Sequence, residues 1–302
     1  MDENFFRMKW KKSCIDRQLN VQKRREKKQM ENRPESPRLV AVDMDGTFLR
    51  SDNTYNQDRF VGILKRMKEQ NAKFVVASGN QYYQLRDFFL DIEDEIAFVA
   101  ENGAFVKDGK ERIFAADMPH STVEQVIDLC RKYPQINTIL CGVNSAYCQK
   151  GTVSQAFFDF ASLYYHRLAW VDDLKAVDDQ ILKFALEVPE ERTMEFYTLL
   201  CQNLEGLVEP TASGHGCIDL IIPGCHKASG LERLCKRWQI DPQDLAAFGD
   251  SGNDIEMLQY CGQSYAMANA DDRVKQTARF LCASNDEDGV LEILDQLYPK
   301  KQ

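Results

Sequence analysis

Four apolar runs in this chain each stop abruptly at a cluster of small and polar residues. Leu39-Val40-Ala41-Val42 runs into Asp43-Met44-Asp45-Gly46-Thr47, and Lys73-Phe74-Val75-Val76-Ala77 into Ser78-Gly79-Asn80. Ile96 to Ala100 stops at Glu101-Asn102-Gly103, and Leu245 to Phe248 at Gly249-Asp250-Ser251-Gly252-Asn253-Asp254. Helical spacing follows several of these clusters. Phe60, Ile63, Leu64 and Met67 share one helical face between Tyr55 and Gln70, and Leu231, Leu234, Cys235 and Trp238 mark another after Lys227. Apolar strands alternating with helices predict an α/β fold whose parallel sheet is covered on both faces. In such sheets ligands bind beyond the carboxyl ends of the strands, where every one of these polar clusters falls.

The first cluster carries the most chemistry. Side chains alternate along an extended segment, so Asp43 and Asp45, two apart, can face one ligand. Gly46 permits a sharp turn that leaves amide N–H groups pointing at an anion. An ionised carboxylate can attack phosphorus without an activating base, forming an aspartyl-phosphate while its neighbour handles a proton. Repulsion from the substrate dianion is the obstacle, and Mg²⁺, which combines one or two carboxylates with substrate phosphate and water, removes it. The same string also fits a calcium loop or a solvated turn. A calcium loop counted from Asp43 needs a Glu at its twelfth position, where Thr54 stands, and it meets Leu49 at the seventh.

Lys227 precedes an apolar helical stripe, and a lysine at a helix N-terminus opposes the helix dipole. An ammonium aimed at a phosphate explains it as well as simple exposure does. Asp250, Asn253 and Asp254 lie where a strand end turns into a helix, a place for caps or for oxygen ligands of a hard cation. Ser78 and Gly79 offer a hydroxyl and an amide.

These clusters, in this order, resemble the haloacid dehalogenase superfamily of phosphohydrolases. The resemblance rests on Asp43-Met44-Asp45-Gly46-Thr47, Ser78-Gly79-Asn80, Lys227 and Gly249-Asp250-Ser251-Gly252-Asn253-Asp254, and covers about residues 37 to 298. Glu101-Asn102-Gly103-Ala104 and the insert between the second and third motifs are similar to the Cof-type branch with a large α/β cap. Val75 to Tyr83 and Ile218 to Gly224 are similar to bacterial sugar phosphatases of that branch.

The resemblance implies a three-layer Rossmann-like core with an inserted α+β cap. It implies Asp43 as nucleophile and Asp45 as acid and base. Mg²⁺ would be bound by Asp43, the Asp45 carbonyl and Asp250, with Asp254 in support. Met44, Ser78, Gly79, Lys227 and Asn253 would hold the phosphate. The implied substrate is a small phosphorylated sugar; a phosphorylated flavin or pyridoxal, or phosphoryl transfer to a second sugar, are the alternatives. The cap would close over the site, with Asn144, Ser145, His166, Ser213 and His215 as its polar candidates.

At 302 residues the chain has length for about two domains. The rhythm of strand and helix breaks between about 118 and 223, so an insert at 118–223 is expected within a core of 37–117 and 224–302. Charge is uneven: residues 1 to 38 hold twelve Lys/Arg against six Asp/Glu, a net of +6, and the remainder 26 against 41, a net of −15. The segment 1–36 therefore reads as a basic, disordered extension. It contains no groove-reading element or aromatic platform, so no specific nucleic-acid or membrane partner is expected. Ten scattered cysteines without a Cys-x-x-Cys pair fit reduced thiols. No apolar run has membrane-spanning length and no secretory leader is evident, which points to the cytoplasm.

Overall fold

The computed structural model of the protein describes residues 36–214 and 216–300. Of the basic extension expected over residues 1–36, residues 1–35 lie outside the described residues, as do His215 and the side chain of Ser213. In chain order the strands are β1 Leu39–Val42, β2 Lys73–Ala77, β3 Ala97–Ala100, β4 Phe105–Asp108, β5 Glu111–Ala115, β6 Asn137–Gly142 and β7 Ala146–Gln149. They continue with β8 Leu168–Val171, β9 Ile181–Glu187, β10 Glu209–Gly214, β11 Cys217–Ile221, β12 Leu245–Gly249, β13 Gln263–Ala266 and β14 Phe280–Leu281.

One sheet runs β14-β13-β12-β1-β2-β3-β4-β5. Its members from β14 to β3 are parallel, as the uniformly apolar runs predict; β4 and β5 add an antiparallel hairpin that the sequence reading did not contain. Every residue of β1 is buried, so both faces of this strand need a cover. Helix Gln57–Glu69 borders β2 and packs with Gly289–Leu297, while helices Lys227–Trp238 and Ile255–Tyr260 border β3 and β12. Register decides what meets beyond the strand ends. Val42 lies opposite both Val76 and Phe248, so the residues that follow, Asp43, Ala77 and Gly249, emerge side by side.

Below the first loop, Phe48 packs against Tyr55 and Phe60 at centroid distances of 5.0 Å each, and Phe60 against Phe74 at 4.7 Å. These rings anchor the chain where it leaves the Asp43–Thr47 turn.

A second sheet, β10-β11-β9-β6-β7-β8, is built wholly from residues 137 to 221. Alternation along its strands separates two clusters. Leu140, Phe184, Leu186, Ile218 and Leu220 pack with helices His120–Cys130 and Thr193–Asn203 on one face. Ile139, Cys141, Ala146 and Cys148 face the other way, toward the short helix Gln155–Ala161. Lys183 and Asp219 share that second parity. Both sheets lie in one compact unit, Pro37–Gln302. Within it we propose the segment 118–223 as the insert. Two of its helices span His120–Cys130 and, after a 3₁₀ turn at Glu190–Arg192, Thr193–Asn203. Among the described residues no helix is long and apolar enough to cross a membrane.

Helix Lys227–Trp238 lies so close to β3 that a Cβ at Gly230 would stand 2.3 Å from a Val99 methyl. Gly230→Ala gains helix propensity but overpacks a fully buried, β-branched neighbour, and is expected to lose about 1–3 kcal/mol in urea denaturation.

Candidate active site

Lys227 opens its helix, capped by His226, whose Nδ1 accepts from the Ser229 amide at 3.1 Å. The ammonium is buried and donates to Asp43 Oδ1 and to Asp254 Oδ1, each at 2.6 Å. This resolves the conflict with the helix dipole: two carboxylates hold the cation where an isolated lysine would be disfavoured. Burial opposes the charge on Lys227, yet the two anions outweigh it and raise its pKa. Asp43 moves up as well, driven first by burial and then by Asp254, Asp250 and Asp45, with Lys227 opposing. One ammonium does not balance the carboxylates around it.

Asp254 is committed to structure through both oxygens. Oδ1 takes the ammonium, and Oδ2 accepts the amides of Asp250 at 3.0 Å and Ser251 at 3.1 Å. Asp250 Oδ1 accepts from the Thr47 hydroxyl at 2.7 Å; burial pushes the Asp250 carboxyl up to about 6 despite that bond. Gly46, at φ +69°, lets the backbone approach so closely that a Cβ would stand 2.6 Å from Asp250 Oδ2. Asp43, Asp250 and Asp254 each present an oxygen within 4.8 Å of the others. This donor set, all oxygen and in excess of the local positive charge, fits a hard divalent cation. The bonds above engage both oxygens of Asp254, which leaves Asp43 and Asp250 as the carboxylates better placed to face an ion.

Asp45 is exposed, unlike buried Asp43, and its Oδ2 accepts from Asn80 Nδ2 at 2.6 Å. The Asn80 amide in turn donates to the buried Ser78 hydroxyl at 3.1 Å. Asn253 receives the Ser251 hydroxyl at 2.8 Å and donates to Asn102 Oδ1 at 3.3 Å. A Cβ on Gly79 would stand 3.1 Å from the same Asn102 oxygen. The structure thus brings Asp43, Asp45, Ser78, Gly79, Lys227, Asp250, Asn253 and Asp254 together beyond the carboxyl ends of the central strands, with Met44 buried between the two acids. Thr47, Asn80 and Asn102 join them; each lay inside a polar cluster visible in the sequence, without a role assigned from spacing.

Three polar candidates of the insert are engaged elsewhere. Asn144 donates to Asp179 through its amide and side chain at 2.9 Å, the Ser145 hydroxyl lies 3.0 Å from the Ala146 carbonyl, and His166 Nδ1 lies 2.7 Å from Asp87.

The sequence matches the haloacid dehalogenase-like hydrolase family over residues 40–294. It is 43% identical over 262 residues to the Escherichia coli protein named 5-amino-6-(5-phospho-D-ribitylamino)uracil phosphatase YbjI, covering 87% of this chain and 96% of that protein. A Bacillus subtilis protein of the same activity name, YitU, is 25% identical over 267 residues, covering 87% of this chain and 98% of its own length. Among solved structures, SMU.1108c from Streptococcus mutans superposes with a TM-score of 0.82 at 38% identity, over 86% of this chain and 98% of that one. A structure described as a subclass IIB sugar phosphatase shares the fold with a TM-score of 0.72 at 22% identity, over 86% and 98%.

Lys227→Met leaves Asp43 and Asp254 buried without their cation, and its expected cost in denaturant titration is about 3–5 kcal/mol. Glu101, at the end of β3, supplies a pH test. Burial drives its carboxyl up to about 7, with Lys183 opposing. Since the folded value exceeds the unfolded one, this group's contribution is fully present below about pH 4.5 and is lost as pH rises to about 7, roughly 3 kcal/mol in all. Over that window Glu101→Gln is expected to gain stability relative to the parent, measured as unfolding free energy against pH.

Proposed function

This chain belongs to the haloacid dehalogenase-like hydrolase family and is a phosphatase, and we propose that it hydrolyses a small metabolite carrying its phosphate ester on a sugar or sugar-alcohol chain. The observation that carries the catalytic reading is the Asp43 carboxylate at the end of β1, fastened by Lys227 and beside Asp250 at the end of β12.

In this reading an Asp43 oxygen attacks phosphorus and the bond to the leaving alcohol's oxygen breaks. Asp45 donates a proton to that oxygen, so a neutral alcohol departs. Asp45, now a carboxylate, takes a proton from water; the water oxygen attacks phosphorus, the bond to Asp43 breaks, and phosphate leaves. Its exposure suits Asp45 to this traffic, and the Asn80 amide holds its second oxygen so that the first faces the substrate. The Ser78 hydroxyl, the Met44 and Gly79 amides, Lys227 and Asn253 hold the phosphate oxygens. Mg²⁺, held by Asp43, the Asp45 carbonyl and Asp250 with Asp254 behind them, would neutralise charge on the transferred group. The insert restricts water and contacts the leaving group.

For the substrate, the sugar-phosphate expectation and the name of the 43% identical relative share one chemistry. That name describes a pyrimidine bearing a phosphorylated ribityl chain, so the bond to be broken there is a sugar-alcohol phosphate ester. Because the identity extends over 96% of that relative, we favour the ribitylaminouracil phosphate over a simple hexose phosphate.

A panel of 5-amino-6-(5-phospho-D-ribitylamino)uracil, hexose phosphates and pyridoxal phosphate tests this by phosphate release. The first is expected to give the highest kcat/KM; a hexose phosphate in first place would return the reading to sugars. Release is expected to stop in EDTA and resume with Mg²⁺. Asp43→Asn is expected to lower kcat by about a thousandfold or more, and full activity in that variant would rule out the covalent route.

A further inference from the structure

Lys183 is a buried cation for which the proposed reaction has no use. It sits mid-way along β9, on the face of the second sheet turned away from the Leu140–Phe184 cluster, and is 2% exposed. Its Nζ lies 2.7 Å from the Gly79 carbonyl and 2.9 Å from Asp219 Oδ2. Glu101 Oε2 is 3.2 Å away, in charge contact without an aligned hydrogen bond. An ammonium has three N–H donors, and here three acceptors surround it. A side chain so occupied is not placed to read a leaving group. What it touches is the loop assigned to phosphate.

We propose that Lys183 is a positioning residue of the phosphate site, acting through the Gly79–Asn80 peptide on the Ser78 hydroxyl. The Gly79 carbonyl and the Asn80 N–H belong to one planar, trans peptide and point in opposite directions. The oxygen meets the Lys183 ammonium at 2.7 Å, and the N–H donates to Ser78 Oγ at 3.1 Å. A cation on the carbonyl both fixes the plane and polarises the N–H. Ser78 Oγ, accepting that bond, has its own proton to give to a phosphate oxygen.

A second path runs from the same ion pair. Asp219 Oδ2 also accepts from Asn102 Nδ2 at 2.7 Å, and Asn102 Oδ1 accepts from Asn253. Lys183 and Asp219 stand on β9 and β11, whereas Gly79, Glu101, Asn102 and Asn253 belong to loops of the first sheet. The phosphate loops are therefore tied together by two residues of the inserted segment, and are complete only while the two sheets are docked. The backbone supports this aim. Glu101 and Asn102 lie at φ +50° and +54°, left-handed values unusual for residues with a Cβ, and Gly103 follows at +90° with no room for a Cβ against the His226 carbonyl.

This inference rests on Ser78 and Gly79 as the phosphate cradle proposed above, and the test separates the two. Orthovanadate and inorganic phosphate carry no leaving group, so their inhibition constants report the phosphate site alone. They are measured on the full chain for the parent, Ser78→Ala, the double variant Lys183→Met/Asp219→Asn, and the combination of all three. The double variant removes both charges of the pair together. If it melts below the assay temperature, Lys183→Gln replaces it.

The expected result is a rise of about tenfold or more in both constants for Ser78→Ala and for the double variant, with the triple variant little worse than either. KM for p-nitrophenyl phosphate is expected to rise in step. Unchanged vanadate inhibition in the double variant, with Ser78→Ala impaired, would show that Lys183 only clamps the two sheets. Fully additive effects would sink the route through Ser78. Unchanged inhibition in Ser78→Ala would overturn the cradle itself.

Discussion

The contact between the Lys227 ammonium and the carboxylates of Asp43 and Asp254 is the constraint on which the site depends. A buried lysine is tolerated only with its charge matched, so the start of helix Lys227–Trp238 must sit where the ends of β1 and β12 meet. Once Asp254 is held by Lys227, its second oxygen gathers the amides of Asp250 and Ser251, which turns the loop after β12 toward Asp43. Thr47 closes the circuit by binding Asp250 from the β1 side. Both oxygens of Asp254 are bonded within this ring, whereas the ring's bonds engage one oxygen each of Asp43 and Asp250. Several carboxylates share a single cation, and burial and mutual repulsion push Asp43 and Asp250 upward. A site in that state favours a divalent ion and a substrate anion together.

The two acids of the first motif differ in burial, and that difference suits each to the role proposed for it. Asp43 is sealed beside Lys227, whereas Asp45, two residues on, stands at the surface with one oxygen held by Asn80. A nucleophile benefits from fixed geometry and exclusion of water; a proton carrier must reach both the leaving group and solvent. Extended backbone at both residues, with Met44 buried between them, produces that difference within one turn.

Docking of the second sheet adds a buried charge cluster of its own, Lys183 with Asp219 and Glu101. Further contacts span the sheets: Gln81 exchanges hydrogen bonds with the backbone of Arg167, and Tyr83 donates to the Val143 carbonyl. Polar contacts of this kind are paid for by strain as well as desolvation, and the left-handed turn at Glu101 and Asn102 is the visible part of it.

The α/β class, the parallel pairing of the apolar strands and the polar clusters at their ends were legible in the sequence alone. Short apolar runs and abrupt polar stops are local properties, legible because strand burial and turn chemistry act within a few residues of chain. The sequence also marked Glu101-Asn102-Gly103 as a strand end. Which partners those residues meet emerges only when the chain is folded. Lys183 and Asp219 lie inside ordinary strand patterns, and no spacing relates Lys183 to Gly79, more than a hundred residues away. Likewise, nothing in the sequence names the partners of Asn144, Ser145 and His166. Long-range register and docking set these contacts, and sequence periodicity records the face a side chain occupies but not what lies across from it.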